Sequence, residues 1–83
     1  MLMQTEAFIT LDLHGKNVYQ SKLMIDAALR RAGGAYALRL VHGYHHGEAI
    51  KEMIAKTYPL HPQVLSVSAR NDGGCTELLL RRL

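Results

Sequence analysis

The sequence predicts an α/β fold, more specifically an α+β two-layer sandwich with both helices on one face of a small mixed sheet. Three observations carry this. Short segments of strand period alternate with two longer segments of helical period in the order βαβαββ. Each strand has one apolar and one more polar face, whereas a sheet covered on both sides would read as continuous apolar runs. The chain has only 83 residues, 48% of them hydrophobic, which is enough for one modest core and no second domain.

Residues 1–7 precede the first periodic segment and are expected to be a flexible N-terminal lead. In residues 8–14, FITLDLH, Ile9, Leu11 and Leu13 point one way, while Phe8, Thr10, Asp12 and His14 point the other. After Gly15 the period changes. Val18, Ile25, Ala28, Leu29 and Ala32 recur at helical spacing, and Asn17 with Gln20 forms an Asn version of the capping box. Gly33-Gly34 supplies the stop.

A second strand, YALRLVH, places Leu38 and Leu40 on one face and Arg39 and Val41 on the other. It runs into the loop HGYHHG, and GEAIKEMIAKT then forms a helical stripe of Ala49, Ile50, Met53, Ile54 and Thr57 that Tyr58-Pro59 ends. In VLSVSA, Leu65, Val67 and Ala69 alternate with Val64, Ser66 and Ser68. Asn71-Asp72-Gly73-Gly74 is a turn signal, and Leu78 and Leu80 in the last strand alternate with Glu77, Leu79 and Arg81, so the final two strands form a hairpin. Right-handed crossovers leave the first three strands parallel and the fourth antiparallel. The uncovered face then shows polar residues such as Asp12, His14, Arg39, Ser66, Ser68, Arg70 and Glu77.

Composition bounds the function. The single Cys75 cannot form an internal disulfide, no apolar run approaches the roughly 20 residues that span a bilayer, and the N-terminus lacks signal-peptide features. A cytoplasmic protein without a membrane partner, taken as a monomer, is expected. A formal net charge of +3 and a pI near 9.3 mildly favour polyanionic partners.

Chemistry concentrates at two strand ends, LDLHG at residues 11–15 and VHGYHHG at residues 41–47. In open sheets with parallel strands, ligands bind beyond the carboxyl ends of the strands. A glycine there permits a sharp turn and close backbone approach, and the following helix start offers unpaired N–H groups suited to phosphate. Lys16 and Lys51 flank the two helix starts and could reach such a phosphate. Asp12 and His14 share a strand face about 6 to 7 Å apart at their Cα atoms, so they could hold a water or a metal, with the imidazole as general acid or base. A structural alternative pairs Asp12 with Arg39 across strands and leaves His14 capping a loop.

Three of the five histidines, His42, His45 and His46, fall within five positions, and Asp12 or His14 could complete a tetrahedral metal set. No Cys pair or His-Glu-x-x-His helix supports such a site, so a divalent metal is allowed but not required. Tyr44, at the loop tip, could stack on an unpaired base or fold back onto the sheet.

LDLHG followed by a helix, then VHGYHHG opening a second helix, resembles the small MutS-related, or Smr, domain over residues 8 to 83. The family carries a Leu-Asp-Leu-His-Gly motif, complete here at Leu11 to Gly15, and a His-Gly-x-Gly-x-Gly-like motif. His42, Gly43 and Gly47 match the second motif, but His45 occupies the place of its middle glycine. Such domains often end longer proteins such as MutS-type ATPases, whereas this chain is read as a stand-alone member. The resemblance implies a four-stranded sheet in the order 1-2-4-3, similar to the C-terminal domain of translation initiation factor three, with strands one and three as edges. It also implies DNA or RNA binding and, in several members, endonuclease activity.

On that basis Asp12, His14 and His42 are the candidate catalytic residues. Lys16, Arg39, Gly43, Tyr44, His45, His46, Gly47 and Lys51 are the candidate phosphate or nucleic-acid contacts. Asp12 and His14 would activate a water or hold a divalent ion, and His42, the amides around Gly43 and Gly47, and Lys51 would steady the scissile phosphate. The alternatives are a module that binds nucleic acid without cutting it, suggested by the altered second motif, and a protein-interaction adaptor that uses a strand edge.

Overall fold

The structure, a computed structural model, describes residues 2–4, 7–43, 47–70 and 73–82. Its elements are β1 (Leu2–Gln4), β2 (Phe8–Asp12), α1 (Val18–Arg30), β3 (Ala37–Val41), α2 (Glu48–Thr57), a 3-10 turn (Tyr58–Leu60), β4 (Ser66–Ala69) and β5 (Cys75–Leu79). The sheet runs β1-β2-β3-β5-β4. Its last four members are the expected strands in the expected order 1-2-4-3. β2 and β3 are parallel, and β5 is antiparallel to both β3 and β4.

β1 departs from the expectation. Within the lead read as flexible, Leu2–Gln4 pairs antiparallel with β2, placing Leu2 opposite Leu11 and Gln4 opposite Ile9. At three residues the segment is too short to show a period of its own. β2 is therefore covered rather than an edge, and β4 keeps its edge.

Strand alternation builds the core. Ile9, Leu11, Leu38, Leu40 and Leu78 are buried on the sheet's inner face, against Ile25, Ala28 and Leu29 of α1 and Ile50 and Ile54 of α2. The outer-face residues of β2, Phe8, Thr10 and Asp12, are only half-buried, so both helices lie on one side. Leu38 pairs with Ile9 on one side and Leu78 on the other at the centre of the sheet. Truncating such a side chain to Ala typically costs about 2 to 5 kcal/mol.

The expected capping box starts α1. Asn17 Oδ1 accepts from Gln20 N at 2.7 Å, and Gln20 Oε1 accepts from Asn17 N at 3.0 Å. At the helix's far end Gly33 turns the chain with φ +56°, a conformation L side chains rarely adopt.

Tyr58, read from sequence only as part of a helix terminator, is fully buried. Its hydroxyl donates to Asp26 Oδ1 at 2.7 Å, and Lys22 Nζ holds Asp26 Oδ2 at 2.7 Å. Burial and the neighbouring Asp26 carboxylate push the Tyr58 hydroxyl well above its ordinary pKa, keeping it a donor. Burial works to raise the Asp26 carboxyl, but the hydrogen bonds from Lys22 and Tyr58 outweigh it and leave the group below its usual value. These bonds join the end of α2 to the middle of α1.

Candidate functional site

Two strand-to-helix loops and the β4–β5 hairpin meet at one end of the sheet. The first loop extends the β2–β3 pairing by one bond, from Leu13 N to Val41 O at 2.7 Å. It then turns at Gly15, whose φ is +76°. The second loop is tied to the hairpin, because His42 N and Gly43 N both donate to Gly74 O, at 3.1 and 3.0 Å. Gly43 has φ +85°, and Gly73 in the hairpin has φ +76°.

Asp12 and His14 come together at the first loop. Asp12 Oδ1 lies 2.7 Å from His14 Nδ1 and also accepts the His14 backbone N–H at 3.0 Å. Those bonds to His14 hold the Asp12 carboxyl below its ordinary pKa, so it is ionised across the neutral range. A carboxylate can only accept, so Nδ1 is the donor, and the neutral imidazole carries its lone pair on Nε2. Among the described residues Nε2 has no partner, and the His14 side chain is 74% exposed. The pair therefore has the makings of a general base, with Asp12 fixing the tautomer and stabilising the imidazolium formed on proton uptake.

The cross-strand pairing of Asp12 with Arg39 does not occur. Arg39 Nε instead donates to Glu77 Oε2 at 3.0 Å, with its guanidinium carbon 4.3 Å from the centre of the Phe8 ring.

His42 corrects the expectation more sharply. It was expected to steady the scissile phosphate, but it is 2% exposed and lies on the helix-covered side of the sheet. Its Nε2 is 2.9 Å from Thr76 Oγ1, and its Nδ1 is 3.2 Å from Gly43 O. With both ring nitrogens engaged in the interior, the side chain positions the second loop and does not reach a bound phosphate.

Gly43 and Gly47 were expected to offer amides to that phosphate. The Gly43 N–H is already spent on Gly74 O. Gly47 is buried, and a Cβ there would lie 2.7 Å from His42 O and closer still to Gly43 O, so its lack of a side chain lets the loop close on itself. Lys16 is exposed immediately before the capped start of α1. Lys51 is half-buried and lines a shallow depression on α2 with Glu48, Glu52 and Ala55, a setting whose two carboxylates oppose phosphate binding. Tyr44, His45 and His46 lie outside the described residues. Among the described residues no group of three or more His, Cys, Asp or Glu side chains is placed to hold a metal ion.

Two contributors were missed. Thr76 is buried and holds His42. Arg70 joins Arg39 on Glu77, its Nη1 lying 3.3 Å from Glu77 Oε2. Thr76 shares the inward parity of Leu78, and a polar residue on a core face must find a partner; that was the available signal.

The fold and the site together define a small two-layer α/β domain that presents an Asp-His pair at its parallel strand ends. No protein-family model and no curated protein matches the chain. Among solved structures, the Smr domain of MutS2 from Thermus thermophilus matches with a TM-score of 0.76 and 33% sequence identity, over 88% of this chain and 98% of that one. At that identity and coverage, this chain belongs to the Smr domain family.

Proposed function

We propose that this domain binds nucleic acid and acts as an endonuclease on its phosphodiester bonds. The carrying observation is the 2.7 Å Asp12–His14 pair, exposed at a strand end with Nε2 of the ring unpartnered among the described residues. As the attacking oxygen of a water or a ribose hydroxyl bonds to phosphorus, His14 Nε2 takes its proton and the Asp12 carboxylate stabilises the imidazolium. The P–O bond to the leaving oxygen breaks, and that oxygen takes a proton from solvent. The exposed ammonium of Lys16 supplies positive charge beside this site. A net charge of +3 favours the polyanionic substrate.

The test uses protein freed of contaminating nuclease, with supercoiled DNA and structured RNA, in the presence and absence of divalent ions. Asp12→Asn and His14→Ala are expected to slow cleavage by at least about 100-fold. If neither substrate is cut under any condition, or if both variants cut normally, the endonuclease reading fails. One departure favours binding without cutting, namely His45 in place of the family's middle glycine. Salt-sensitive binding with no cleavage would establish that reading instead.

A further inference from the structure

We propose that the open face of the sheet is a track for single-stranded nucleic acid, and that Arg39 and Arg70, braced on Glu77, grip the phosphate next to the one at the Asp12–His14 pair. This rests on the proposed nucleic-acid function and assigns the path of the strand across the domain.

Register supplies the geometry. Thr10, Arg39, Glu77 and Ser68 lie opposite one another across β2, β3, β5 and β4, forming a polar row on the face without helices. Asp12 lies two residues farther along β2, so the row sits roughly 6 to 7 Å from the Asp12–His14 row. Neighbouring phosphates on an extended single strand have a comparable spacing. One strand lying along β2 and β3 would therefore meet both rows with consecutive phosphates.

Charge supplies the complementarity. Both guanidiniums contact the same carboxylate oxygen, Glu77 Oε2, leaving one net positive charge on the cluster. Arg39 uses Nε for that contact, which leaves the outer fork of its guanidinium for a phosphate, and the Phe8 ring holds its plane. The side chains are 39% and 50% exposed for Arg39 and Arg70, while Glu77 is 22% exposed, so the cations are more accessible than their brace.

Apolar content selects single strands over duplexes. Val41 and Leu79 lie half-buried on this same face, beside the Arg39 guanidinium that covers the Phe8 ring. A duplex would meet such a surface only with its phosphates, whereas an unpaired strand can lay base faces on it.

The test is fluorescence anisotropy with labelled 12-nucleotide oligouridine, oligodeoxythymidine and a duplex of equal length, over a range of salt. Arg70→Gln is expected to weaken single-strand binding about 5- to 10-fold and to reduce the salt slope by about one. Arg31→Gln, beyond the end of α1 in the helical layer, should change binding less than twofold. Glu77→Gln is the discriminating variant. It removes a charge that repels phosphate, so binding should tighten, whereas a purely structural brace would weaken it or leave it unchanged.

If the duplex binds as tightly as the single strands, or if folded Arg70→Gln and Glu77→Gln bind as the unsubstituted protein does, the track is overturned while the endonuclease reading stands. If the unsubstituted protein neither binds nor cuts any nucleic acid, both fail. Equal responses with oligouridine and oligodeoxythymidine assign the track to the phosphates and base faces that both strands share, and a response confined to oligouridine adds a contact to the ribose hydroxyl; either result supports it.

Discussion

Two strand ends in this chain carry the same dipeptide, His-Gly, and the fold uses them in opposite ways. His14 stands in solvent, paired with Asp12, with its side chain 74% exposed. His42 is 2% exposed, its ring held between Thr76 and the Gly43 carbonyl. One histidine faces solvent and the other is built into the interior. The difference lies in parity. His14 follows Asp12 by two residues and so stays on the outer face. His42 follows Leu40 by two and so faces the core.

The largest effect expected from this contrast is on His14. Under the endonuclease reading, His14→Ala should reduce kcat about 10²- to 10⁴-fold. Its stability, followed by urea denaturation, should move by no more than about 0.5 kcal/mol, because the ring is exposed. A large stability loss would break the contrast. His42→Ala should do the reverse, costing about 2 to 4 kcal/mol through the void and the stranded Thr76 hydroxyl, with the folded fraction keeping more activity than His14→Ala. Gly47→Ala belongs with it, since the added methyl meets the His42 and Gly43 carbonyls, and should cost about 1 to 3 kcal/mol.

A smaller effect tests the brace. Thr76→Val removes the hydroxyl that meets His42 Nε2 and should cost about 1 to 2 kcal/mol, and Thr76→Ser should recover most of it. The smallest effect is a titration. The hydrogen bonds from His14 hold the Asp12 carboxyl below its ordinary pKa, so the stabilisation from the pair is present above that ordinary value and fades as pH falls through the lowered one. In His14→Ala the Asp12 titration, followed by carboxyl-carbon NMR shifts, should move back up toward 3.8. An unmoved titration would assign the effect to something other than the pair.

Much of this was legible in the sequence because it is local. Alternation placed Ile9, Leu11, Leu38, Leu40 and Leu78 on one face, and Asn17 with Gln20 announced the start of α1. The Asp12–His14 pairing needed only two positions on one strand. The rest depended on partners distant in the chain. His42 meets Thr76 across 34 residues, Arg39 meets Glu77 across 38, and Tyr58 finds Asp26 across 32. No local period encodes such choices. The burial of His42 was nonetheless readable, since it shares the parity of Leu38 and Leu40; the His-Gly match to the first motif drew it into the site instead.

The short strand β1 has a practical consequence. Because it runs antiparallel to β2, Leu2 lies opposite Leu11, beside Asp12, so β1 begins at the end of the sheet that carries the Asp12–His14 pair. β5 runs from Cys75, opposite Val41, to Leu79, opposite Ala37, so the chain leaves at the far end. A fluorophore or affinity handle attached at the start would crowd the very loops to be assayed. Attached beyond the end of β5, it would sit at the pole opposite the loops, and a domain immobilised there would present Asp12 and His14 outward.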